Sequence, residues 1–81
     1  MDAAKQRKNE AQFKNWMETP SGGRIYRLEI LGKWGWKAHY VKEVDTEENT
    51  VAFRQEIYDQ QGILRELHEK YPVDKGHIKL S

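Results

Sequence analysis

Tyr58-Asp59-Gln60-Gln61-Gly62-Ile63-Leu64-Arg65-Glu66-Leu67-His68-Glu69-Lys70 is the stretch whose reading decides the fold. Ile63, Leu64, Leu67 and Tyr71 fall on one stripe of a helix, and the Leu64–Lys70 segment favours helix by propensity. The turn before it argues the other way. Aspartate in the first place and glycine in the fourth suit a type I turn followed by a bulged glycine, which is a hairpin connection. Residues 63–70 are therefore read as a strand, ended by Pro72.

Working outward, Gly32-Lys33-Trp34-Gly35 carries glycine in the same fourth place and marks a second hairpin. Around these turns the side chains alternate. Tyr26, Leu28 and Ile30 share one face of a strand over 24–31, with Arg27 and Glu29 on the other. Trp36, Ala38, Tyr40 and Val44 do the same over 36–44, against Lys37, His39, Val41 and Glu43. Over 51–58, Val51, Phe53 and Ile57 alternate with Arg54 and Glu56. Upstream, Phe13, Trp16 and Met17 have helical i, i+3, i+4 spacing, which predicts a helix over about 8–18 stopped by Thr19-Pro20. Ser21-Gly22-Gly23 reads as a flexible joint, and His77–Leu80 as a further short strand. The expected fold is α+β and mainly β: a four-stranded antiparallel meander with an N-terminal helix packed on one face. Residues 1–12 are expected to form a basic, largely flexible arm, ahead of a single small domain over 13–81.

Composition bounds the function. The 81 residues are 37% hydrophobic, below the usual ~45–50%, so the core must be thin. No cysteine is present, which excludes disulfides and thiolate metal sites. The N-terminus has no apolar signal-peptide core, and no apolar run is long enough to span a bilayer, so the expected location is cytoplasmic. The net charge of +1 gives the chain no overall pull on polyanions, so any electrostatic preference must be local.

The turn rules also set a register. A bulged glycine at Gly62 pairs Tyr58 with Leu64, Glu56 with Glu66 and Arg54 with His68. The same rule at Gly35 pairs Glu29 with His39, and a four-residue middle loop with Asp45 facing Thr50 pairs His39 with Glu56. One sheet face then holds Glu29, His39, Glu56 and Glu66 in a row, beside a row of Arg27, Val41, Arg54 and His68. The opposite face is apolar, through Trp36, Ile63 and Leu67 among others, and needs the helix or a second subunit as cover.

Adjacent carboxylates raise one proton affinity, and a histidine between carboxylates can act as a base. His39, Glu56, Glu66 and His68 are thus the catalytic candidates, with Arg27 and Arg54 able to hold a phosphate. A solvated outer face of an antiparallel sheet explains the same residues without chemistry. His39, His68 and His77 with Glu29, Glu56 or Glu66 could supply nitrogen and oxygen ligands, but no pair has a metal-binding spacing, so no metal and no cofactor are expected. Lys33, Trp34 and Lys37 place a tryptophan between lysines at a turn tip, the pattern that stacks on bases or anchors a protein partner.

Tyr58-Asp59-Gln60-Gln61-Gly62 leading to His68, with Gly76-His77 beyond, resembles the small toxins of bacterial toxin–antitoxin pairs over about the last 25 residues of the chain. That resemblance implies RNA as substrate, with His68 and Glu66 the first residues to suspect. From the residues themselves, the leading expectation is a non-enzymatic binding or interaction module with its ligand surface on the polar face and the 32–37 turn (Lys33, Trp34, Lys37, Arg27 and Arg54), able to meet a protein partner, or itself, through the apolar face or Trp34. A small RNA-binding or metal-free RNA-cleaving protein is the alternative.

Overall fold

A computed structural model describes residues 2–80, so residue 1 of the expected arm and residue 81 of the expected domain lie outside the description. The chain runs α1 (Ala3–Gln12), β1 (Asn15–Glu18), β2 (Arg24–Leu31), β3 (Lys37–Val44), β4 (Thr50–Tyr58), β5 (Leu64–Tyr71) and β6 (His77–Lys79). The strands form one antiparallel sheet in sequence order. The class is α+β and mainly β, as expected, with six strands in place of four. Strands β2 to β5 lie within a residue of their expected bounds, and residues 64–71 are strand, not helix.

The helix is displaced. It occupies Ala3–Gln12, within the stretch read as an arm, instead of 8–18. Asp2 starts it by accepting from the Ala4 and Lys5 amides, and Ala3, Ala4, Lys5, Gln6, Arg7 and Lys8 are all good helix formers. Trp16 and Met17 are in β1, where neighbours alternate between faces, so their helical spacing from Phe13 is coincidental. The expected joint at Ser21-Gly22-Gly23 belongs to the tight turn that pairs β1 with β2.

Three hairpins share one turn. In residues 19–23, 45–49 and 59–63 the first amide donates to the fifth carbonyl, and the fourth amide donates back to the first carbonyl. Thr19 Oγ1, Asp45 Oδ1 and Asp59 Oδ1 each accept the fifth amide, which fixes the loop. The fourth residue takes positive φ, which glycine adopts freely at Gly22 and Gly62 (φ 90° and 80°). In the middle turn that place falls to Glu48 (φ 65°). The expected four-residue loop there is thus a three-residue loop, and an extra residue at Val51 restores the expected pairing of His39 with Glu56.

The core is small and lies at one end of the sheet. Phe13, just past the helix, packs on Tyr26 and Val44, with Leu28, Tyr40 and Phe53 at the margin. Polar contacts hold α1 down: Asn9 Nδ2 donates to Glu48 Oε2 (3.1 Å), and Arg24 pairs with Glu10 (2.6 Å). Tyr26 Oη donates to the same Glu48 oxygen (2.8 Å). Among the described residues, the rest of that sheet face has no covering layer. The radius of gyration is 13.6 Å, against about 11.7 Å for a compact chain of this length. Its accessible area is 5662 Å², against about 5,100 Å² for a monomer of this mass.

Candidate functional site

On the face away from α1, β2, β3 and β4 bring Glu29, His39 and Glu56 into one row, as the register predicts. His39 Nε2 donates to Glu29 Oε2 at 2.9 Å, and its ring lies 5.1 Å from that of Tyr58. Glu56 is buried, with every oxygen engaged. Tyr58 Oη donates to Oε1 (2.9 Å), Arg54 Nε donates to Oε2 (2.7 Å), and Arg27 lies 3.7 Å from Oε1. Burial pushes the Glu56 carboxyl up, but Arg54, Tyr58 and Arg27 outweigh it and hold it below its usual range. Glu56 is therefore an ionised hub that fixes two arginines. A group that exchanges protons near neutrality needs the opposite shift.

Glu66 and His68 do not join this row. The expected pairings of Glu56 with Glu66 and of Arg54 with His68 are corrected: Glu56 faces Leu67, Ile57 faces Glu66, and Gln55 faces His68. The cause is a bulge opposite Ile57 and Tyr58 that adds Arg65 as an extra residue on β5 and turns the rest of β5 over. Leu64 and Leu67 thereby share one face despite being three apart. The four catalytic candidates are split two and two across the sheet.

On the helix-bearing face, His68 and Glu66 meet β6 and its connection. His68 Nε2 donates to Asp74 Oδ1 (2.6 Å), His77 lies 3.5 Å from Glu66, and the two imidazoles are 4.5 Å apart. The metal-ligand candidates are divided in the same way. Among the described residues, no group of three or more His, Asp or Glu side chains is arranged to hold a metal ion.

Lys33, Trp34 and Lys37 lie at the end of the sheet remote from α1. Lys33–Gly35 forms a short 3-10 turn in which Trp34 takes φ 57° and leaves its ring 84% exposed. Lys33, Trp34 and Trp36 line a shallow cavity of about 260 Å³. Trp36, expected on the apolar face, is a turn residue instead. Leu31 (73% exposed) continues the apolar surface on the β2 side. Lys37 lies beside Tyr58 and Leu31 across the strands. Arg27 and Arg54 are two rows further along the sheet, ~13 Å away at strand spacing, and committed to Glu56.

A second cavity was not anticipated. Between α1 and strands β3 to β5 is a groove of about 630 Å³, lined by Gln12, Phe13, Lys42, Asn49, Thr50, Phe53, Lys70 and Tyr71. The sequence does carry a signal for it: Lys42 interrupts the Ala38, Tyr40, Val44 alternation, so a lysine must lie on the apolar face. Burial pushes the Lys42 amine down, Glu48 opposes that shift, and Lys8 adds to it. No helix among the described residues is long and apolar enough to cross a membrane. Compared with known protein families, curated proteins and solved structures, the chain matches none.

Proposed function

We propose that this protein is a non-enzymatic binding module that docks a protein partner on the sheet end around Trp34. The observation that carries this reading is the exposed Trp34 ring on a backbone of positive φ. That conformation costs a non-glycine residue of order 1 kcal/mol, and neither it nor the exposed ring is repaid by packing within the chain. Tryptophan is enriched among interface anchors, and the exposed Leu31 ends the neighbouring strand.

Affinity capture compares the parent with Trp34→Ala and with Met17→Ala, a control at another exposed apolar residue. A protein retained by the parent and by Met17→Ala but lost with Trp34→Ala supports the reading. Identical retained sets for all three refute it. Sedimentation of the same proteins identifies a second copy as the partner if only Trp34→Ala fails to associate.

Lys33 beside the ring and Lys37 at the start of β3 favour nucleic acid as a second reading. A short mixed-sequence RNA should then quench tryptophan fluorescence at low salt and release as salt rises. No quenching at low salt removes that reading.

A further inference from the structure

We propose that the groove between α1 and strands β3 to β5 is a binding site for a small carboxylate with an aromatic or similarly apolar body. It lies at the opposite end of the sheet from Trp34 and is independent of the partner reading.

The groove exists because the helix is short. Helix α1 ends at Gln12, and the chain turns back at Phe13 to enter β1, so the strip over Phe53 is left open. Lys42, Phe53 and Tyr71 are directly opposed across β3, β4 and β5, which makes Phe53 the floor between two rims. The Lys70 ammonium reaches the same floor from β5, 5.3 Å from the Tyr40 ring and 5.8 Å from the Phe53 ring. The Lys42 ammonium lies 6.0 Å from the Phe13 ring and donates to Asn9 Oδ1 at 2.8 Å.

Charge decides the class of ligand. Acidic and basic residues are nearly equal in the whole chain, 13 against 14, yet the lining has two lysines and no carboxylate. The carboxylate that acts on Lys42 is Glu48, whose Oε2 already accepts from Tyr26 and Asn9. Lys70 is placed by aromatic faces, with Asp74 as an electrostatic neighbour outside the lining. Both lysines thus line a half-buried, largely aromatic groove, where an anion gains more than it would in bulk solvent. Gln12, Asn49 and Thr50 offer neutral hydrogen-bonding groups around the rim. The volume of about 630 Å³ lies within the usual range for small-molecule sites. An apolar body over Phe13, Phe53 and Tyr71 with a carboxylate reaching the lysine ammoniums matches the aromatic and cationic parts of this lining.

The test needs no natural ligand. The labelled protein is titrated with 2-naphthoate, and with 2-naphthylmethanol, which has the same rings and no charge, while amide shifts are read by NMR. Naphthoate should shift Gln12, Thr50, Phe53, Lys70 and Tyr71 and bind at least about fivefold more tightly than the alcohol. Lys70→Gln should remove that preference, as should Lys42→Gln, whereas Lys33→Gln at the far end should keep it. Equal affinity for the two probes overturns the proposal without any variant. So do shifts centred on Trp34, an unchanged preference in both groove variants, or no shifts at millimolar probe.

Discussion

Replacing Glu48 by glycine sets two opposite effects against each other at one residue. The backbone favours the change: φ 65° strains a glutamate by about 1–2 kcal/mol and costs glycine nothing. The side chain opposes it. Glu48 is buried and accepts from Tyr26 Oη at 2.8 Å and from Asn9 Nδ2 at 3.1 Å. Hydrogen bonds to a charged acceptor contribute roughly 1.5–3 kcal/mol each, and removing this acceptor leaves two buried donors without it. The expected net loss is about 1–5 kcal/mol, read as a lower urea midpoint. A double-mutant cycle isolates the anchor. Tyr26→Phe removes one donor with its acceptor still satisfied by Asn9, so Glu48→Gly should cost about 1–3 kcal/mol less in that background. If Glu48→Gly raises the midpoint, or if the cycle shows no coupling, the buried carboxylate does not tie the middle turn to Tyr26 and the reasoning fails.

Two glycines should behave differently for separate reasons. A Cβ on Gly23 would lie 2.1 Å from the Val44 carbonyl oxygen, so Gly23→Ala must push β2 from β3 and should cost roughly 2–3 kcal/mol or unfold the β1–β2 hairpin. At Gly62 no atom lies within 4 Å of an added Cβ, so Gly62→Ala should cost only the positive-φ penalty of about 1–2 kcal/mol; equal losses in urea melts would contradict this. Acid should destabilise the fold. Asp45 (chiefly through the Asn49 amide), Asp74 (chiefly through His68), and Asp59 and Glu56 (through Arg65 and Arg54, against burial) all sit below their ordinary values of 3.8 and 4.5. A depressed folded value means the stability is whole above the unfolded value and is lost as pH falls through the folded one. The urea midpoint should therefore hold from neutrality to about pH 5 and drop below about 4.5, and a midpoint that climbs in acid would show the sign to be wrong. Trp34→Ala should leave the midpoint within about 0.5 kcal/mol of the parent, since the ring packs on little; a larger loss would make Trp34 a structural residue.

Much of the sheet was legible because its turns announce themselves. Glycine fourth in Gly32–Gly35 and Asp59–Gly62, with alternation between, located β2 to β5 and the Glu29, His39, Glu56 row. The β1–β2 hairpin obeys the same grammar in Thr19-Pro20-Ser21-Gly22, but the chance helical spacing of Phe13, Trp16 and Met17 hid it. Glu48 was obscured because a buried carboxylate holds it where glycine is the rule. The bulge at Arg65 mattered most for the site. A turn fixes the first pair of a hairpin and says nothing of a residue inserted two steps later. The one hint was Leu64 and Leu67, whose spacing of three fits one strand face only with an extra residue between them. Lys42 was legible as an exception in an apolar alternation, whereas the groove beside it depended on where the helix stopped.

Because strand order follows chain order, each strand is held only by its immediate neighbours, and the sheet can unzip from either side. The two sides are not equivalent. On the β1 side, Asn9, Glu10 and Phe13 of the N-terminal segment clasp β2, β3 and the middle turn, so opening that margin breaks contacts three strands deep. On the β6 side, His77–Lys79 is short, exposed and, among the described strands, paired only with β5. Amide exchange should therefore run as a gradient along the chain, fastest in β6, slower in β5, and slowest in β2 and β3. The protein would live as a stable N-terminal half carrying a C-terminal margin that opens many times before the whole unfolds.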